Sequence, residues 1–278
     1  MHSAPVARPS PQTERVVAIA RLLAAHPDEG FTISEIARRL RLNKATFYPM
    51  LTALTEAGWL VRDPATKEFR LGPELINLGE AAGRSLPVVP LARPAMVELA
   101  TELGVTCAAF SAAEGVATLT DQVWDVRSTV QPLRVGIWAP LKAPFGALFT
   151  AWAGDEERAA WVDGLDAAAR ARHLAALDAS RARGYVVERR SQSIALAEGS
   201  GSLAEMDPVD EDFLIVDLDP AASYAVSTIE APVFDPGGRV ILGLVLVGLP
   251  RTMRGADVDA YGRRLIVATT GVTDALRA

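Results

Sequence analysis

Three segments with helical apolar spacing, the last two parted by only a tight break, run straight into two short alternating segments within residues 13–72. In the first helix Val16, Ile19, Ala20 and Leu23 fall at i, i+3, i+4 and i+7, and the run stops near His26 and Pro27. A second helix opens with Thr32 or Ser34 as N-cap and carries Ile36, Ala37 and Leu40 on one face. After a break at Arg41 and Leu42, Asn43 caps a third helix. It turns Phe47, Met50, Leu51 and Leu54 inward and ends at Gly58. The runs Trp59–Arg62 and Glu68–Leu71 alternate like strands, and Asp63-Pro64-Ala65-Thr66 turns the chain between them. That order predicts a winged helix-turn-helix. The competing reading, a helical bundle with an incidental hairpin, leaves the agreement of spacing and turn signals unexplained.

The remainder predicts an α+β domain. Residues 1–12, with Pro5, Pro9 and Pro11, read as a disordered arm. Residues 73–103 read as linker or dimerisation helices, broken at Leu86–Pro90 and resuming at Pro94. The apolar stripe Leu75, Leu78, Ala82 and Leu86 calls for a second copy of the chain to bury it. From 104 to 278 strands are expected at Val105–Ser111, Val116–Trp124, Arg127–Val135, Tyr224–Phe234 and Arg239–Gly248. Helices are expected at Phe145–Ala153, Glu156–Leu165, Ala167–Arg183 and the C-terminus, packed on an antiparallel sheet. Residues 189–222 stand apart as an acidic insertion: Glu205–Asp219 holds seven acids and no base, with a short strand at Phe213–Val216. A long solvated loop is the plain reading of that insertion, and a lid or a partner-docking segment is the other.

Composition removes several alternatives. Of 278 residues half are hydrophobic and the mean hydropathy is +0.18, which argues against disorder. Cys107 is the only cysteine and the three histidines are scattered, so neither a disulfide framework nor a zinc cluster is expected. No apolar run approaches the roughly 18–20 residues of a membrane span, and no signal peptide is evident; a cytoplasmic protein is expected. The net charge is −6, unevenly spread: residues 1–85 carry 11 basic and 9 acidic side chains, so phosphate contact is expected of the N-terminal third. No nucleophile elbow, phosphate loop or dinucleotide fingerprint is present, so no enzyme and no cofactor are expected.

The runs Ser34-Glu35-Ile36-Ala37-Arg38-Arg39-Leu40, Asn43-Lys44-Ala45-Thr46 and Ala57-Gly58-Trp59-Leu60-Val61-Arg62-Asp63-Pro64 resemble the DNA-binding domain of the IclR-type transcription regulators. Downstream, Arg183-Gly184-Tyr185 and Ile229-Glu230-Ala231-Pro232-Val233-Phe234-Asp235 are similar to the family's GAF-like effector domain. The resemblance implies a homodimer or tetramer, two winged domains on a palindromic double-stranded operator, and a small organic effector. Repression of a catabolic operon is the commoner family behaviour. A ligand-binding signalling module that has lost sequence-specific DNA binding is the alternative.

On a winged helix-turn-helix the third helix reads bases while its neighbours grip phosphates. Lys44, Ala45, Tyr48, Pro49 and Thr52 then face outward with Thr46 on the flank. Lysine and hydroxyl groups suit guanine or phosphate, and Ala45 suits a thymine methyl. Arg38, Arg39, Arg62, Lys67 and Arg70 are phosphate candidates, and Thr32 and Ser34 add hydroxyls. Family members often carry arginine where this chain has Pro49. Either the helix bends to suit an unusual operator, or the wing carries more of the binding.

The family pocket lies between the sheet and the segment resembling Pro140-Leu141-Lys142-Ala143-Pro144-Phe145-Gly146. Thr228, Val245 and Val247 stand where the family often has a thiol and hydroxyls, which favours a flat aromatic acid, amide or hydrazide over a tiny polar acid. Candidate walls are Trp124, Trp138, Phe145, Val245 and Val247. Candidate anchors are Cys107, Arg134, Ser227 and Thr228.

Overall fold

The computed structural model describes residues 10–84, 87–190 and 213–277, which divide into two compact units, the first up to residue 84 and the second from residue 87. In the first unit α1 (Pro11–Ala25), α2 (Ile33–Arg39) and α3 (Lys44–Glu56) precede the hairpin β1 (Leu60–Arg62) and β2 (Phe69–Leu71), and α4 (Glu74–Arg84) follows. Helix α1 begins two residues before the expected Thr13, with Pro11 in its first turn, where a missing N–H costs nothing. The expected disordered arm therefore loses its last two residues to a helix; residues 1–9 lie outside the described residues. Thr32 is the N-cap of α2 in a capping box with Glu35.

Both helix ends that frame the turn motif close in the same manner. Leu42 N–H donates to Ala37 O and Arg41 N–H to Arg38 O, with Arg41 in the left-handed region at φ 52°. Likewise Trp59 N–H donates to Leu54 O and Gly58 N–H to Thr55 O, with Gly58 at φ 73°. The core is Ile19, Leu23, Phe31, Ile36, Phe47, Leu51, Leu60 and Phe69. Phe31 and Phe69 exchange both backbone hydrogen bonds, so the connector after α1 is tied to the wing by a one-residue bridge. A Cβ on Gly72 would stand 2.1 Å from Gly58 O, which is why the chain leaves the wing on a glycine.

The second unit contains α5 (Val88–Leu103), β3 (Thr106–Ala113), β4 (Val116–Val123), β5 (Trp138–Pro140), α6 (Ala147–Thr150), α7 (Asp155–Trp161) and α8 (Ala167–Arg183). It continues through β6 (Val186–Arg189), β7 (Ser223–Tyr224), β8 (Val226–Phe234), β9 (Val240–Val247), β10 (Met253–Arg254) and α9 (Gly255–Arg277). Six strands form one antiparallel sheet in the order β5-β4-β3-β9-β8-β6. Alternation along the strands divides the core in two. Cys107, Ala109, Ile229, Ala231, Leu244 and Leu246 pack with α5 and α9, while Ala108, Val186 and Val245 pack with α6, α7 and α8.

The class is α+β as expected, with four corrections to its elements. Residues 127–135 are not a strand: Pro132 has no N–H to give a ladder, and the polar groups here bond elsewhere. Thr129 donates to Gly248 O and Leu249 O, and Gln122 clamps Leu133 through both its amide groups. The sheet edge is instead β5. The helix expected at Phe145–Ala153 shrinks to α6, because Pro144 and the left-handed Gly146 delay its start. Helices α4 and α5 are separate as expected, but α5 begins at Val88 and runs through Pro94, so the second helix starts six residues earlier than expected. The strand expected at Phe213–Val216 is a single bridge from Leu214 to Glu188, on the edge strand β6 that the pattern did not announce. Most of the acidic insertion, residues 191–212, lies outside the described residues.

Candidate functional site

The first unit presents α3 as the geometry of a reading helix requires. Phe47 and Leu51 are buried, Met50 and Leu54 pack against the same core, and Tyr48, Pro49 and Thr52 face solvent. The helix continues through Pro49, with Thr52 Oγ1 donating to Tyr48 O at 3.2 Å. Lys44, Ala45 and Thr46 form its first turn; their side chains lie outside the described set.

The surrounding candidates differ in how committed they are. Thr32 spends its hydroxyl on the cap: Oγ1 donates to Glu35 Oε2 at 2.7 Å and accepts from Glu35 N–H at 3.4 Å. Those bonds from Thr32, and then Arg38 and Arg39, hold the Glu35 carboxyl below its usual range. Ser34 and Arg38 are exposed on α2. Arg39 is exposed but steadied, its guanidinium 4.6 Å from the Phe31 ring centre and 3.4 Å from His26 Nε2. In the wing, Arg62 lies 5.5 Å over the Phe69 ring. Lys67, exposed and left-handed at φ 62°, donates to Pro64 O. Asp63 orders that tip by accepting the N–H groups of Ala65 and Thr66 at 2.7 and 3.0 Å, bonds that hold its carboxyl low. Arg70 donates to Asp28 O at 2.8 Å, so it serves the wing's attachment more than its reach.

In the second unit the expected effector residues separate onto different faces. Val245 and Val247 lie on the sheet face covered by α6, α7 and α8, and Phe145 stands edge-on to Phe213 at 6.3 Å. Trp124 is 41% exposed and donates from Nε1 to Val130 O at 3.1 Å; Arg134 is also exposed in that loop. Two candidates are misplaced. Cys107 points to the α5 and α9 face and is wholly buried, and burial pushes its thiol far above the usual range, so it is a core residue and not an anchor. Trp138 pairs with Thr118, on the face opposite to the buried Ala139 and Ala117 pair.

Ser227 is half-buried, whereas Thr228 lies on the expected face with its hydroxyl already engaged. It stands 3.0 Å from Glu188 Oε2 and 2.8 Å from Glu230 Oε1. Glu230 is buried between its cross-strand partners Val186 and Val245, and Glu188 is directly opposite Thr228. Burial raises both carboxyls, Glu230 to about 7, and each is further tied to the other. These two acids were not among the expected site residues. The signal available was a glutamate set inside the apolar run Ile229-Glu230-Ala231.

A cleft of about 460 Å³ lies elsewhere in this unit, between the end of α8, residues 216–220 and the start of α9. None of the expected effector residues lines it. Its polar groups serve one another: Arg183 donates to the carbonyls of Tyr185, Ile215 and Val216, and Tyr185 Oη donates to Asp259 at 2.9 Å. Among the described residues no three metal-binding side chains gather, and no helix is long and apolar enough to cross a membrane.

The helix-turn-helix and wing are the part of the chain with a decisive relative: the IclR helix-turn-helix domain matches residues 12–64. Residues 12–64 are thus an IclR-type helix-turn-helix domain. The HTH-type transcriptional regulator XynR of Escherichia coli K12 is 25% identical over 186 residues, 63% of this chain and 73% of that protein. The fold agrees with an IclR transcriptional regulator from Alicyclobacillus acidocaldarius, at TM-score 0.69 and 20% identity over 96% of this chain and 99% of that one. It agrees equally with an IclR homologue from Microbacterium hydrocarbonoxydans complexed with 4-hydroxybenzoate, at TM-score 0.67 and 18% identity over 96% and 99%. The first unit thus carries the helix-turn-helix of the IclR regulators, and the solved structures share the fold of the chain.

Proposed function

We infer that this protein is an IclR-type, effector-controlled repressor of a catabolic operon, acting as a homodimer or tetramer whose paired winged units occupy a palindromic operator. The observation that carries the reading is the division of α3, with Phe47 and Leu51 buried and Tyr48, Pro49 and Thr52 left to solvent. Lys44, Ala45, Thr46 and Tyr48 are assigned to base edges, with Ser34, Arg38, Arg62 and Lys67 on phosphates and Thr32 fixing the N-terminus of α2. A partner copy is supported by α4, which leaves Ile76 65% and Leu78 41% exposed on an otherwise regular helix.

The effector is assigned to the sheet face that holds Val245, Val247 and Thr228, with Phe145, Trp124 and Arg134 at its margins. The 4-hydroxybenzoate in a protein of the same fold supports an aromatic acid or a derivative of one. Beside Glu188 and Glu230 an amide or hydrazide sits more favourably than a second free carboxylate, which would add like charge to a buried acidic pair. A mobility-shift titration with the DNA upstream of the protein's own gene tests the reading. Specific retention that weakens steeply with salt and is relieved by an aromatic acid or its amide is expected. Retention equal to that on unrelated DNA would overturn it.

A further inference from the structure

Thr228 has one hydroxyl hydrogen, yet its oxygen lies within hydrogen-bonding distance of two carboxylates, 3.0 Å from Glu188 and 2.8 Å from Glu230. If both acids were ionised, one of the two contacts would set lone pair against lone pair. The arrangement closes only when one carboxyl carries a proton. It then donates to Thr228 Oγ1, or across to the other acid, which is also within hydrogen-bonding reach. Among the described residues the setting offers no other compensation. Glu230 lies between Val186 and Val245 in the sheet, and the described parts of β9 and α6 contain no charged side chain. Of the bases on neighbouring elements, Arg183 of α8 is spent on the carbonyls of Tyr185, Ile215 and Val216, and Arg190 on those of Val226 and Leu249. His173 of α8 stands at Ala169 O against Trp161, and Arg189 is exposed at the end of β6. Arg158 of α7 pairs with Asp178, Arg170 and Arg181 of α8 are exposed, and neither these nor Arg172 of α8 add an attractive charge to either acid.

We propose that Glu188 and Glu230 share one proton through Thr228 at neutral pH, and that its loss loosens β6 from β8, making this edge of the sheet a proton-controlled latch. Among the described residues β6 is the outermost strand, held on one side by β8 and on the other by the short contact with residues 213–215. Two charges placed diagonally across β6 and β8 act directly on that pairing.

Infrared spectroscopy of the full chain tests the proton itself. A carbonyl stretch of an un-ionised carboxylic acid is expected at neutral pH, fading as the pH is raised and missing from the double variant Glu188→Gln, Glu230→Gln. Hydrogen exchange read by mass spectrometry tests the latch. Protection of Val186–Arg189, corrected for intrinsic rates, should fall by about tenfold per pH unit over the range in which the band fades, the slope of a single proton. In the double variant that corrected protection should be independent of pH. Absence of the band from the wild-type chain overturns the shared proton. A band that fades while β6 protection stays constant overturns the latch. Both readings are taken on the wild-type chain, so they decide the matter even if the double variant does not fold. They involve no DNA and no effector, so they succeed or fail apart from the regulatory reading.

Discussion

At the scale of single residues, identity and role part company most clearly in the second unit. Cys107 and Thr228 both looked like polar anchors, and strand alternation sends one into the α5–α9 core and the other beside two acids. Alternation was readable, but which face carries the effector is a property of what packs on the sheet, and a single strand does not encode that. Replacing Thr228 by Val, which keeps the volume and removes the hydroxyl, should cost about 1–3 kcal/mol in a denaturant titration because two buried carboxyls lose their shared partner. In the first unit the residue-level expectation concerns DNA. Lys44→Ala should weaken operator and unrelated DNA alike if it meets phosphate, and the operator alone if it meets guanine. Tyr48→Ala, at a side chain 50% exposed, should lower operator affinity with an unchanged melting temperature. Unchanged affinity for both variants in the same fluorescence-anisotropy titration would remove α3 from the interface.

At the scale of elements, the helices and hairpins with strong local punctuation were legible: Thr32 with Glu35, Gly58, and Asp235-Pro236-Gly237-Gly238 all stand where caps and turns require them. What escaped was held together over distance. β5 and β6 are only 3 and 4 residues long and exist as strands because β4 and β8 offer them partners. Residues 127–135 have strand-like composition but give their hydrogen bonds to Gly248, Leu249 and Gln122. Two substitutions test the element chemistry. Arg41 closes α2 in the left-handed region, at φ 52°, where side chains other than glycine are strained. Arg41→Gly should therefore raise stability by about 0.5–1 kcal/mol, after glycine's larger unfolded-state entropy is subtracted, in a chemical denaturation series. Conversely a Cβ on Gly262 of α9 would come within 2.5 Å of the Tyr185 ring, whose hydroxyl is fixed by Asp259. Gly262→Ala should cost about 1–3 kcal/mol through overpacking, despite alanine's better helix propensity, and thermal melting would show it.

At the scale of the whole molecule, the carboxyls fall into two opposed groups. Asp125 is held down to about 2 by its bonds from Arg127, and Asp63, Asp166 and Asp235 are likewise lowered by backbone N–H groups. Their contribution is present above the ordinary carboxylate range and is lost as pH falls through their folded values. Glu188 and Glu230 are raised, so theirs is full below the ordinary value of 4.5 and is lost as pH climbs through their folded values, about 7 for Glu230. Melting temperature followed against pH should accordingly peak on the acid side of neutrality. A peak above pH 8 would contradict the assignment of the buried pair. The tie between Phe31 and Phe69, reinforced by Arg70 on Asp28 O, has its own consequence for regulation. It ties the base of the hairpin to the connector between the first two helices, so wing and helices are coupled within the first unit. Under the proposed function, an effector would then change DNA affinity by moving this unit as one piece rather than by reshaping the surface that touches the bases.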